Sequence, residues 1–186
     1  MSRCIIVGTG ASAKGFIQPE GVDIIAVNGA INKVKATHFF TLDPRGALKY
    51  YVSPKKDVKY HIASDGTFSL PSWVEKWKRV GKMRRGNQPL DKNSVEWLIW
   101  KDGATKGLQK EGISNGNSGY GAINLAYHLG YKYVALVGID GVGKNYKHLN
   151  ELIGSIDPEM IDITSLGLVN SVKQMSLEEW LEYSDG

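Results

Sequence analysis

Residues 8–12 read Gly-Thr-Gly-Ala-Ser and follow the apolar run 4–7. A small-residue turn at a strand end presents backbone N–H groups, and Ser12 adds a hydroxyl, a combination suited to a phosphate. Residues 117–119, Asn-Ser-Gly, open a helical stretch that Gly130 closes. A helix N-terminus attracts anions, and glycines at 119 and 121 let one approach the backbone closely. Asp140 lies in a Gly-Ile-Asp-Gly turn after another apolar run, where a carboxylate accepts hydrogen bonds from hydroxyls. Gly8, Thr9, Gly10, Ser12, Asn117, Ser118, Gly119 and Asp140 are therefore candidate nucleotide contacts.

Three polar residues, Thr9, Asn28 and Asp43, follow the first three apolar runs. Asn28 can both donate to and accept from a base or sugar, unless Asn28-Gly29 is a plain turn. Asp43 has two readings: a proton acceptor, or the N-cap of a helix with Pro44 at its first position. His148 sits in the polar stretch 143–148, where an imidazole can exchange protons, which makes it the histidine best suited to acid–base work. His38 and His61 lie inside expected strands and His128 late in a helix, positions that point to packing.

Other chemistries fit poorly. The first turn has Ala13 in place of a third glycine, and the second strand ends in Asn28 rather than the acid that would hold an NAD ribose. Lys14 lacks the glycine before it and the Ser or Thr after it that a P-loop needs. No Cys/His set has zinc spacing and no Gly-x-Ser-x-Gly elbow occurs, so no metal ligands are expected. The lone Cys4 cannot form an internal disulfide and reads as a small apolar strand residue.

The elements that must position these residues alternate. Apolar runs at 4–7, 23–27, 37–42, 58–62, 132–137 and 161–164 read as strands, with helical stretches between several of them. The pattern predicts an α/β chain: a single Rossmann-like domain over 1–186, with a mainly parallel sheet flanked by helices. In such sheets ligands sit outside the carboxyl ends of the strands, so both small-residue turns face one crevice. Residues 69–117 differ in texture, with four tryptophans and many bases, and read as a basic Trp-rich insertion or lid. Ser176 and Glu179 have capping-box spacing for a last helix at about 177–183.

The net charge is +4, but residues 151–186 carry eight acids and one base, which leaves +11 on the first 150. That body would suit an anionic ligand or acceptor. Lys76, Arg79, Arg84 and Arg85, interleaved with tryptophans, fit a nucleic-acid contact made by stacking and phosphate pairing. No stretch of eighteen apolar residues suggests a membrane span, and the N-terminus does not read as a signal peptide, so a cytoplasmic location is expected.

At these residues a family resemblance enters. Ile5 through Lys14, Val27-Asn28, Phe39-Phe40 to Pro44, Ser118-Gly119 through Lys132, and Val137-Gly-Ile-Asp140 resemble the bacterial CMP-sialic-acid sialyltransferases of glycosyltransferase family 42. They also resemble the related domain of archaeal 6-hydroxymethylpterin diphosphokinases. The resemblance covers most of residues 4–44 and 114–141. It implies a Rossmann-like domain with a lid that holds a nucleotide without a metal. Asn28 matches a donor-contacting asparagine, and Ser118 and Gly119 match a Ser-Gly pair at the nucleotide. Thr9 and Asp43 stand where that family has asparagines, and His148 is the one histidine beyond the Gly-Ile-Asp turn, where the family carries its base.

The expectation is a glycosyltransferase with a nucleotide-sugar as co-substrate and no cofactor. Its acceptor would be a glycan or a nucleic acid, with His148 or Asp43 taking the acceptor proton. The alternative enzyme is an ATP-dependent pyrophosphokinase, which would need magnesium held by Asp43 and Asp140. Two non-catalytic readings remain: a nucleotide-binding protein, and a nucleic-acid module built on residues 73–106.

Overall fold

A computed structural model describes residues 2–46, 53–64, 66, 69–81, 86–92, 94–140 and 147–183. Among these residues nine strands form one sheet: β1 (Arg3–Val7), β2 (Asp23–Val27), β3 (His38–Thr41), β4 (Lys59–Ser64), β5 (Val74–Val80), β6 (Ile113–Ser114), β7 (Tyr133–Val137), β8 (Asp162–Ser165) and β9 (Lys173–Gln174). Their order is β6-β5-β4-β3-β2-β1-β7-β8-β9, and every pairing is parallel. The helices are α1 (Pro44–Gly46), α2 (Val95–Asp102), α3 (Ser118–His128), α4 (Lys147–Gly154) and α5 (Leu177–Glu182). The chain is thus α/β and Rossmann-like, as the alternating pattern predicts. No helix among the described residues is long and apolar enough to cross a membrane.

The central strands are apolar on both faces because both faces are covered. Cys4, Ile6, Ile25, Val27, Phe40, Val134 and Leu136 point to one side, against Ala122, Ile123, Leu125 and Ala126 of α3 and Leu152 and Ile153 of α4. Ile5, Val7, Ile24, Ala26, Phe39, Ala135 and Val137 point to the other, against Ile31 and Trp180. Small residues bring α3 close: a Cβ at Gly121 would stand 3.0 Å from the Phe40 ring. The last helix closes the second face. Ser176 and Glu179 form the expected capping box. At the other end of α5, the Arg3 guanidinium donates to the carbonyls of Trp180, Leu181 and Tyr183.

The segment expected as an insertion supplies strands as well. β5 pairs with β4 along five residues and β6 extends the sheet beyond it. Trp77 of β5 turns onto the α3 face. There a chain of polar contacts runs under the sheet: Trp77 Nε1 donates to His61 Nδ1 at 3.1 Å, and His61 Nε2 lies 3.0 Å from His38 Nδ1. His38 Nε2 lies 3.4 Å from the Tyr131 hydroxyl, which donates to Asp23 Oδ2 at 2.6 Å. An indole N–H only donates, so each proton in this chain has one place to be. His61 carries its proton on Nε2 and passes it toward His38, whose own proton on Nε2 faces Tyr131. Both rings are neutral in this arrangement. Burial pushes His61 down to about 4, with the neighbouring His38 and Lys59 adding to it.

Candidate functional site

The strand order reverses between β1 and β7, because the chain adds β2 to β6 on one side and then crosses to the other. A crevice opens outside the carboxyl ends at such a point. Here it is a cavity of about 300 Å³. Its wall comes from residues 8–11 after β1, Val27 and Asn28 at the end of β2, residues 117–119 at the start of α3, residues 138–140 after β7, and Leu149 of α4. Of the predicted contacts, Gly8, Thr9, Gly10, Asn28, Asn117, Ser118, Gly119 and Asp140 are brought together in that wall.

The two turns beside the cavity are locked to each other. Gly8 N–H donates to Val137 O at 2.9 Å, and Gly10 N–H to Gly138 O at 2.9 Å. Ser12 N–H donates to Asp140 Oδ2 at 2.9 Å, its hydroxyl donates to Asp140 Oδ1, and Gly138 N–H donates to Ser12 Oγ at 2.8 Å. Glycine is required by this closeness: a Cβ at Gly10 would stand 2.6 Å from Asp140 Oδ2 and 2.7 Å from Gly138 O. This corrects the expected role of the first turn. The amides of Gly8, Gly10 and Ser12 and the Ser12 hydroxyl hold the β7 turn, so they are not presented to a phosphate. Ser12 instead positions Asp140, whose carboxylate is buried in the cavity wall. A carboxylate has about four acceptor sites. Ser12 takes one on each oxygen, and the remaining pair is available to a ligand's hydroxyls.

A second set of bonds joins β2, β3 and α3. Asn28 holds a left-handed backbone with φ of 53°, which asparagine tolerates better than most residues. Thr41 Oγ1 donates to Asn28 Oδ1 at 2.6 Å and accepts from Asp43 N–H at 2.9 Å. The Asn28 oxygen is thereby committed, and its Nδ2 is the group left to donate. Leu42 N–H donates to Ser118 Oγ at 3.1 Å, which ties the end of β3 to the start of α3. Asn117, not Ser118, is the N-cap of α3: its Oδ1 accepts from Gly119 N–H at 2.7 Å.

The two residues assigned catalytic roles fall differently. Asp43 is exposed, is absent from the cavity wall, and accepts from Gly46 N–H at 3.1 Å; it caps the short α1. The capping alternative is the one seen. Asp43 and Asp140 therefore do not share the cavity, as the magnesium-dependent alternative would need. His148 lies in the first turn of α4, is 4% exposed, and has a buried Nδ1 with no hydrogen-bond partner. Its neighbour Leu149 lines the cavity, though His148 itself does not.

Of the basic residues considered for nucleic acid, Lys76 is exposed on β5, while Arg84 and Arg85 lie outside the described residues. Arg79 is half-buried, and its Nη2 donates to the carbonyls of Leu42 and Ala63. That engagement turns it away from an open phosphate-binding face.

Sequence reasoning singles out neither Leu149, which lines the cavity, nor Thr41, which lies behind the wall and holds Asn28. Thr41 ends an apolar strand with a polar side chain, the same signal that marks Thr9 and Asn28. Leu149 carries no signal, because its role follows from where α4 packs. Among the described residues no cluster of three or more His, Cys, Asp and Glu side chains is arranged to hold a metal ion. Comparison of the chain with protein-family models, curated proteins and solved structures yields no match.

Proposed function

We propose that the cavity binds a nucleotide-sugar and that the protein transfers the sugar to an acceptor hydroxyl. The observation that carries this reading is the convergence of Asn28, Asn117, Ser118 and Asp140 on one cavity at the β1/β7 reversal. Its volume of about 300 Å³ lies at the small end of ligand pockets, and it has few but well-fixed polar groups. The family resemblance adds the donor class.

In this account the N-terminus of α3 faces the phosphate, and its dipole stabilises charge on the leaving nucleotide. Asp140 accepts from ribose or sugar hydroxyls, and Asn28 Nδ2 donates to the donor. The acceptor oxygen forms the new bond to the anomeric carbon as the bond from that carbon to the phosphate oxygen breaks. The nucleotide leaves with the electron pair, and the acceptor proton passes to His148. Its place next to Leu149 of the cavity wall and its buried, unpartnered Nδ1 favour it over Asp43, which is spent on a cap.

The test is thermal stabilisation by CMP, CDP, UDP, GDP, ADP and ATP, each with and without magnesium, followed by turnover of sugar conjugates of whichever binds. A nucleotide at 100 times its Kd adds about 2.7 kcal/mol. Stabilisation by a pyrimidine nucleotide irrespective of magnesium, with release of that nucleotide from its sugar conjugate, is the expected result. Stabilisation by ATP only with magnesium would replace this reading with pyrophosphoryl transfer. Binding without turnover would leave a nucleotide-binding protein.

A further inference from the structure

Leu149 of α4 and Asp140 after β7 both line the cavity, and His148 is the chain neighbour of Leu149. The loop 166–171 after β8 touches both places. At one end Gly167 leans on the Ser12–Asp140 pair: a Cβ there would stand 2.7 Å from Ser12 Cβ and 3.0 Å from Asp140 Oδ1. At the other end the loop meets Asn150 of α4. Ser171 N–H donates to Asn150 Oδ1 at 3.0 Å, the Ser171 hydroxyl donates to the Asn150 carbonyl at 2.6 Å, and Asn150 Nδ2 donates to Asn170 Oδ1. One turn further along α4, Gly154 leaves room for this contact, since a Cβ there would stand 2.8 Å from Ser171 Cβ.

The loop is itself fixed. Ser165 Oγ accepts from Gly167 N–H at 3.1 Å and from Val169 N–H at 3.2 Å. Gln174 Nε2 donates to the Gly167 carbonyl at 3.2 Å, and Val169 is fully buried. The loop thus forms a bracket between the carboxylate and the helix. The apolar side chains of α4, Leu152 and Ile153, hold the helix on the sheet, but hydrophobic burial is non-directional. Hydrogen bonds are directional. Three of them at one residue set how far α4 slides and how it turns, and with that where Leu149 and His148 stand relative to Asp140. Asn150 itself is absent from the cavity wall, so it acts on the site through its neighbours.

We infer that Asn150 is a positioning residue: through the loop 166–171 it fixes the His148–Leu149 turn of α4 against the Ser12–Asp140 pair. The consequence for proton transfer by His148 rests on the transferase reading above, whereas the placement of α4 does not.

Nuclear magnetic resonance of the whole chain tests it, with the Leu149 methyl signals, the His148 ring signals and the Gly167 amide as reporters and CMP as the probe ligand. In Asn150→Ala all three reporters are expected to shift or broaden, while the core methyl signals of Ile5 and Ile24 stay in place. CMP affinity should fall about two- to fivefold, because a smaller fraction of the protein holds the docked helix. Asn150→Asp keeps the acceptor for Ser171 N–H, and the Asn170 amide can turn its Nδ2 toward the carboxylate, so wild-type signals and affinity are expected. Gly154→Ala pushes on Ser171 from a second point and should repeat the pattern of Asn150→Ala. Thermal unfolding checks that each variant is folded. Leu149 and His148 signals that stay unmoved in Asn150→Ala, or that move as far in Asn150→Asp, would overturn the assignment. The expected reporter shifts in a protein that binds no CMP would keep the positioning role and contradict the nucleotide reading of the cavity.

Discussion

Ser12 and Asp140, 128 positions apart in the chain, are joined by two hydrogen bonds, one from the serine amide at 2.9 Å and one from its hydroxyl. The same hydroxyl accepts from Gly138 N–H. One side chain therefore closes the β1 turn onto the β7 turn and aims the carboxylate that lines the cavity. Ser12→Ala leaves a backbone N–H and a buried carboxylate each short of one partner. The expected cost is about 1–3 kcal/mol of stability, seen as a lower midpoint in urea, together with weaker ligand binding.

The same closeness predicts a contrast between two glycines. A Cβ at Gly10 would meet Asp140 and the Gly138 carbonyl, and main chain cannot step aside. Gly10→Ala should cost about 1–3 kcal/mol and perturb the cavity. Gly15 has φ of +79° but nothing within 4 Å, so Gly15→Ala should cost only the backbone term, about 1–2 kcal/mol, with ligand binding kept. Parallel urea titrations and ligand titrations separate the two cases.

Acid should act through the histidine pair. His61 is held down to about 4 in the folded chain against about 6.5 when unfolded. The unfolded state therefore binds the proton more readily. This contribution to stability is complete above about pH 6.5 and is lost as pH falls toward 4. Trp77→Phe removes the donor that occupies His61 Nδ1. The ring can then take a proton there, and its midpoint, followed by ring-carbon resonances, should move upward. A midpoint unchanged by Trp77→Phe would contradict the directed chain from Trp77 to Asp23.

Much of the frame was legible in the chain, and the reasons differ by element. β1, β2, β3 and β7 are apolar on both faces because they are central, so they stand out as runs. β5 reads Val-Glu-Lys-Trp-Lys-Arg-Val, and its charges hide a strand whose exposed residues Glu75, Lys76 and Lys78 flank Trp77. β6 and β9 are two residues each, too short for any period. The cavity residues were legible because polar groups follow apolar runs. Their partners were not: that Ser12 meets Asp140, or that Thr41 holds Asn28, depends on strand order. Asp43 shows the converse, since its Asp-Pro signal fits a cap and a base equally, and local geometry decides for the cap.

Asn28 separates folding from binding. Its backbone is left-handed, so Asn28→Gly relieves strain while deleting the amide that faces the cavity. Asn28→Ala deletes the same amide and keeps the strain, at a cost of about 1 kcal/mol or more. Both leave Thr41 Oγ1 without its acceptor. The glycine variant should therefore be the more stable of the two, while both lose ligand affinity alike. Equal midpoints in urea would contradict the backbone part of this account.

Calorimetric titration of the wild type and Asn28→Gly with CMP tests the central claim most directly. The account predicts one site per chain in the wild type and binding at least about tenfold weaker in the variant, the loss of one hydrogen bond to a charged or strongly polar partner. Absence of heat in the wild type, or equal affinity in the two proteins, would contradict the claim that this cavity is where a cytidine nucleotide binds.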